Sequence, residues 1–212
     1  MTIIKSYLKF LYNSKNEHGV HSPFVFDLVT KCFYDKKKYQ EYQSLSEYRK
    51  FLLKSKTTIE VTDFGAGSRV FKSNKRQISK IAKTAGISPK RSEMLFRITK
   101  YFQPDTILEI GTSLGLATSA LSLGNSNAKI TSLEGCPKIT LLQKFGFFNA
   151  RVETTEFSSY LKTQQLTTDN RQLIYFDGNH SKKATLEYFE LLLPTITNET
   201  VWIFDDIHWS SD

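Results

Sequence analysis

The stretch ILEIGTSLGLATSAL, from Ile107 to Leu121, places one acid, Glu109, near the end of an apolar run. Gly111 and Gly115 follow, four residues apart, with Thr112 and Ser113 between them, and an apolar pattern at helical spacing comes next. Residues this small let a backbone turn approach a ligand closely. The helix that follows offers N–H groups with no partner inside it. The spacing E-x-G-x-x-x-G is not the dinucleotide fingerprint G-x-G-x-x-G, and no lysine of a P-loop accompanies it. An acid at such a strand end would repel a pyrophosphate; it suits a cationic or hydroxyl-bearing ligand. A second run, ITSLEGCP, ends in Glu134 and Gly135, 25 residues after Glu109. In a β-α-β unit an acid there can accept two hydrogen bonds from ribose hydroxyls. Each glutamate alone also reads as a solvated strand end; the pair on neighbouring strand tips favours a ligand cradle.

The elements that must hold these residues alternate. TILEI (106–110), AKITSLE (128–134), ARVETTE, RQLIYFD (171–177) and TVWIFDD (200–206) have strand character. LATSALSLG, CPKITLLQKFGF, SSYLKTQQL and SKKATLEYFELLLP have helical spacing. Such alternation predicts an α/β fold, a doubly wound, mostly parallel sheet with helices on both faces. The near-continuous apolar runs fit strands buried on both sides.

Upstream the character changes. Residues 1–85 read as a helical N-terminal extension rich in aromatics, with a mobile loop near 62–77, and 86–212 as the sheet domain. Ser22 before Pro23 and Ser88 before Pro89 are helix N-caps with proline at the first helical position. His18 and His21, in EHGVHSPF, read more readily as core or surface histidines than as a cap over a site.

The chain has 212 residues and a formal net charge of +8. The basic residues concentrate in DKKKYQ and RVFKSNKRQISKIAK, which raises nucleic acid as a partner. No helix-turn-helix, zinc-finger or RNA-binding aromatic signature accompanies them. The two cysteines, Cys32 and Cys136, suggest neither a disulfide framework nor a metal cluster. No apolar run reaches the ~20 residues of a membrane span, and the N-terminus lacks the pattern of a signal peptide. The expected location is cytoplasmic, with no membrane partner.

From about Ile87 to Asp212 the sequence resembles the class I S-adenosylmethionine-dependent methyltransferases. LEIGTSLGLATSAL is similar to that family's first motif and ITSLEGCP to its second. LIYFDGNHSKKATLEYFELLLP and WIFDDIH resemble the fourth and fifth strands of its small O-methyltransferase branch, whose members act on catechols and caffeoyl-CoA. The resemblance implies a Rossmann-like fold that binds S-adenosylmethionine. Gly111, Thr112, Ser113 and Gly115 would pass the methionine part, Glu109 would hold its ammonium directly or through water, and Glu134, beside Gly135, the ribose. Glu156 and Phe157 match where the family contacts adenine, and Ser88 to Glu93 matches a segment that closes over the cofactor. Asp177 lines the same pocket. Asp177, Asp205 and Asp206 match three ligands of a divalent cation, Mg²⁺ or another; Asp206 stands where the family has asparagine. His180 and His208 are candidate bases for deprotonating the acceptor.

The family's sheet has seven strands, the last two a hairpin. Five are readable here, so the domain is expected to be C-terminally truncated. The implied activity is methyl transfer to a small hydroxyl-bearing acceptor, with a homodimer as a further expectation. The alternative is a methyltransferase-like module that binds RNA or protein without small-molecule catalysis.

Overall fold

The computed structural model describes residues 2–14, 16–19, 21–62, 71–140, 149–163 and 171–207. Contacts cluster as two units, Met1–Lys37 and Lys38–Asp212. In the first, α1 (Thr2–Asn13) precedes a single 3-10 turn, Glu17–Gly19, and α2 (Pro23–Asp27) runs on into one π-helical turn, Leu28–Phe33. Ser22 caps α2 by accepting the Val25 N–H. The only buried residue of the π turn is Cys32. His18 and His21 are both poorly covered in this unit.

The second unit begins with α3 (Glu41–Lys54), β1 (Thr58–Glu60), β2 (Lys75–Gln77), α4 (Ile78–Thr84) and α5 (Pro89–Phe102). Ser88 accepts the Arg91 N–H and so caps α5, and Gln103 ends it in a left-handed conformation before Pro104. The alternating part follows as β3 (Thr106–Ile110), α6 (Leu116–Gly124), β4 (Lys129–Glu134), α7 (Pro137–Thr140), β5 (Ala150–Thr154), α8 (Phe157–Thr163), β6 (Gln172–Phe176), α9 (Lys182–Leu192) and β7 (Val201–Phe204).

The strand order is β5-β4-β3-β6-β7, and every neighbouring pair is parallel. The chain walks outward from β3 to β5 and returns to the other side of β3. The order therefore reverses between β3 and β6, and in such sheets the ligand crevice opens beyond the strands' carboxyl ends at that reversal. Alternate residues of each strand feed two cores. Ile107, Ile130 and Leu173 pack with Leu45, Ile81, Phe96 and Leu121, while Leu108, Leu133 and Ile174 pack with Leu161, Tyr188 and Leu192. All five residues of β6 are buried, as the unbroken apolar run requires.

Two expectations change in detail. Leu45, Leu52, Val61, Ile78, Ile81 and Ala82, assigned by sequence to an extension, share one core with the sheet. The contacts divide the chain after Lys37, well before residue 85. Within the stretch 62–77 expected to be a loop, Lys75–Gln77 is a strand paired antiparallel to β1, Thr58 opposite Gln77. A three-residue strand reading Lys-Arg-Gln carries no apolar alternation for sequence to register. Residues 63–70 of that loop lie outside the described residues, as do His208 and most of the helix expected after Pro137. No described helix is long and apolar enough to cross a membrane.

Candidate active site

Glu109 lies in the middle of the sheet, opposite Ser132 on β4 and Tyr175 on β6. It is completely enclosed. Its Oε2 accepts the Thr118 O–H at 2.6 Å and a short hydrogen bond from the Ser132 hydroxyl. Because the Ser132 proton goes to Glu109, the Thr112 hydroxyl, 2.5 Å away, donates to Ser132. Glu109 Oε1 has no hydrogen-bond partner. Burial is the main cause that pushes this carboxyl up to about 7, with the charge of Glu134 adding to it. Glu109 thus has no surface for direct contact with a ligand ammonium; it reaches the turn after β3 through Ser132 and Thr112.

Glu134, at the tip of β4, is 8% exposed. Its Oε2 accepts the Ser113 N–H and its Oε1 the Cys136 N–H, both at 2.8 Å. Burial raises its pKa, and the N–H donors of Cys136, Ser113 and Gly135 oppose that rise. The turn is tied to β4 a second way, since Gly111 and Thr112 both donate to the Leu133 carbonyl at 3.0 Å. Tyr48 of α3 donates to the Leu114 carbonyl at 2.7 Å. Gly115, with φ +72°, opens α6. Glu109, Glu134 and the glycine turn therefore form one hydrogen-bonded assembly at adjacent strand ends.

Gly111 has φ +102°, and a Cβ there would stand 2.6 Å from the Asp177 carbonyl oxygen and 2.9 Å from Gly178 Cα. A Cβ on Gly178 would meet the Phe157 ring at 2.6 Å and Gly111 Cα at 3.2 Å. The turns after β3 and β6 thus touch backbone to backbone, with Phe157 as an apolar wall. Phe157 also packs edge-on against Tyr188, 6.0 Å between ring centres. Glu156 is exposed, and both its oxygens are used. Oε1 accepts the Ser158 N–H at 3.0 Å and Oε2 the Ser159 N–H at 2.7 Å, which caps α8. Desolvation works upward on its carboxyl, but the donors of Ser159 and Ser158 outweigh it and hold the pKa below its ordinary value.

Beyond β6 and β7 opens a cavity of about 170 Å³ whose walls include Phe176, Gly178, Tyr188, Phe204 and Ile207 and whose polar lining includes His180, Lys182, Asp205 and Asp206. The Phe176 and Phe204 rings stack 4.2 Å apart at its floor. His180 Nε2 stands 3.7 Å from Asp177 Oδ1. Burial, then the charges of Asp205, Glu109 and Asp206, raise the Asp177 pKa well above the usual carboxylate range.

The three carboxylates expected to hold a cation are engaged otherwise. Arg91 Nη1 lies 3.2 Å from Asp205 Oδ1 and 3.4 Å from Asp206 Oδ1. Tyr175 donates its O–H to Asp205 Oδ2 at 3.0 Å, and the Asp206 N–H donates to Asp205 Oδ1 at 2.9 Å. Among the described residues no group of three or more His, Cys, Asp or Glu is placed to hold a metal ion. As placed, Asp205 and Asp206 share the Arg91 guanidinium, and the expectation of a divalent cation at Asp177, Asp205 and Asp206 gains no support.

Sequence reasoning passed over Ser132, Thr118 and Tyr175, and reached Arg91 only as one residue of the segment Ser88 to Glu93. Arg91 alone left a signal. Lys90 and Arg91 put two cations and no acid in the first turn of α5, the wrong sign for a helix N-terminus, a mismatch that an acidic partner outside the helix relieves.

The family model for a methyltransferase domain matches residues 108–207. No curated protein matches the sequence. Among solved structures, an SAH-bound methyltransferase of Podospora anserina is 16% identical over 92% of this chain and 74% of its own, with a TM-score of 0.58. An O-methyltransferase of Bacillus cereus in complex with SAH is 18% identical over 89% and 79%, TM-score 0.54. The O-methyltransferase TomG of Streptomyces achromogenes, involved in tomaymycin synthesis and solved with SAM, is 14% identical over 85% and 71%, TM-score 0.55. These likenesses establish the Rossmann-like fold that the alternation of strands and helices predicts.

Proposed function

We propose that this chain, an S-adenosylmethionine-dependent methyltransferase by its domain, transfers the methyl group to a hydroxyl oxygen of a small molecule. One observation carries the reading: the glycine turn beside Glu134 and the turn that walls the cavity beyond β6 meet backbone to backbone, Gly111 against Asp177 and Gly178. A methyl donor on one side and an acceptor on the other would meet there.

The donor set suits the cofactor. Glu134 keeps lone pairs for a ribose diol beyond the N–H bonds it accepts, Gly111 to Gly115 present backbone to the methionine part, and Phe157 offers an apolar surface. Bound S-adenosylmethionine supplies an electrophilic methyl on a sulfonium. The remaining work falls to the chain. Phe176, Phe204 and Tyr188 exclude water and orient an acceptor ring or alkyl body. His180 takes the acceptor's hydroxyl proton onto its imidazole, whose Nε2 stands 3.7 Å from Asp177 Oδ1. Positioning supplies most of the rate, because the acceptor oxygen must stand in line with the methyl group.

Titration of the full chain with S-adenosylhomocysteine, followed by calorimetry, tests the cofactor half. Micromolar binding is expected, weakened at least tenfold, about 1.4 kcal/mol, in Glu134→Ala. Release of S-adenosylhomocysteine in the presence of small phenols and alcohols tests the acceptor half, and His180→Ala should abolish it with cofactor binding intact. Turnover on amines alone would refute oxygen as the acceptor. Salt-sensitive RNA binding without cofactor binding would replace the enzyme with the binding module.

A further inference from the structure

Where the resemblance implies a divalent cation, the structure places a guanidinium. Arg91 extends from the first turn of α5, 114 residues before Asp205, and its Nη1 is shared by Asp205 Oδ1 and Asp206 Oδ1. Asp205 Oδ1 also accepts the Asp206 N–H, and its Oδ2 accepts the Tyr175 hydroxyl. Tyr175 is 2% exposed, so that oxygen of Asp205 is held from inside the sheet. The backbone is set to match: Asp206 sits at φ +50°, and the Asp205 N–H donates to the Phe176 carbonyl at 2.9 Å. Ser88 caps α5 at the Arg91 N–H, which fixes the base of the arginine.

A cation of the Mg²⁺ type needs carboxylate lone pairs at about 2.0–2.1 Å. Asp205 Oδ1, which accepts both the Arg91 guanidinium and the Asp206 N–H, has no in-plane lone pair left for such an ion. Guanidinium keeps its charge at every physiological pH and delivers it in a fixed plane, which an ammonium does not.

We propose that Arg91 is the resident cation of this centre: it holds Asp205 and Asp206 at the rim of the acceptor cavity in the role a divalent ion would fill, and it keeps such an ion out. Arg91 is thereby a positioning residue for acceptor binding that joins the start of α5 to the tip of β7. The positioning role rests on the methyltransferase reading; the exclusion of metal does not.

The test uses Mn²⁺ as the probe, on the full chain, with free Mn²⁺ read by electron paramagnetic resonance. The wild type should leave the free-ion signal undiminished, and its melting temperature should not respond to Mn²⁺. Arg91→Ala, or Arg91→Gln if the alanine variant has lost its far-ultraviolet circular dichroism, should take up Mn²⁺ and melt higher in its presence. Asp205→Asn added to that variant should remove the uptake. Mn²⁺ bound by the wild type and lost in Asp205→Asn would overturn the proposal. So would a folded, charge-free variant at position 91 that takes up none. Titration of the same samples with S-adenosylhomocysteine reports on the methyltransferase reading separately, so failure of one is not mistaken for failure of the other.

Discussion

Glu109 is enclosed on every side, and one of its oxygens lacks a partner. Burial raises its pKa from 4.5 to about 7. The folded chain therefore keeps a proton on this carboxyl that the unfolded chain releases. The resulting stability is fully present below pH 4.5 and is lost as pH rises toward 7, a change of roughly 3 kcal/mol for a shift of this size. Glu134 and Asp177, also raised, slope the same way. Urea unfolding between pH 5 and 8 should show Glu109→Gln with a flatter profile than wild type, the difference between the two isolating this carboxyl. That an acid stood at this strand tip was legible in I-L-E-I-G. Its enclosure was not, because the hydroxyls of Ser132 and Thr118 reach it only through strand register and the seating of α6, neither of which leaves a local pattern.

The turns are where these elements meet, and their chemistry separates two roles for Glu156. Its carboxylate accepts two N–H groups at the start of α8. Glu156→Ala should cost about 1 kcal/mol of stability, the usual worth of a helix cap, and leave S-adenosylhomocysteine affinity within a factor of about two, which is roughly 0.4 kcal/mol; a large loss of affinity would instead make it a cofactor contact. Gly111→Ala forces a side chain into positive φ and against the Asp177 carbonyl. It should destabilise the fold by about 2 kcal/mol or more, measured by urea unfolding. The strands of the parallel sheet and the Ser88 and Ser22 caps were readable because apolar period and capping residues are local. The hairpin of β1 and β2 was hidden because both strands are short and mostly polar.

Across the whole chain, Lys36, Lys37 and Lys38 are exposed and lie in no helix or strand, where the two contact units divide. Mass spectrometry after brief trypsin treatment should find cleavage at these lysines among the first products. Sequence placed the organisational boundary much later because the helical, aromatic character of the N-terminal region continues past residue 38 without interruption, and helical spacing alone does not say which core a helix serves. The reversal of strand order has a reach beyond the residues that surround it. Since the loop that would pass the methionine part and the loop that would bound an acceptor hollow have no side chain between them, neither can shift without pressing on the other. Occupancy of one hollow should then alter affinity for the other by the same factor in both directions, and an inhibitor bound on the acceptor side would be felt by the methyl donor without touching it.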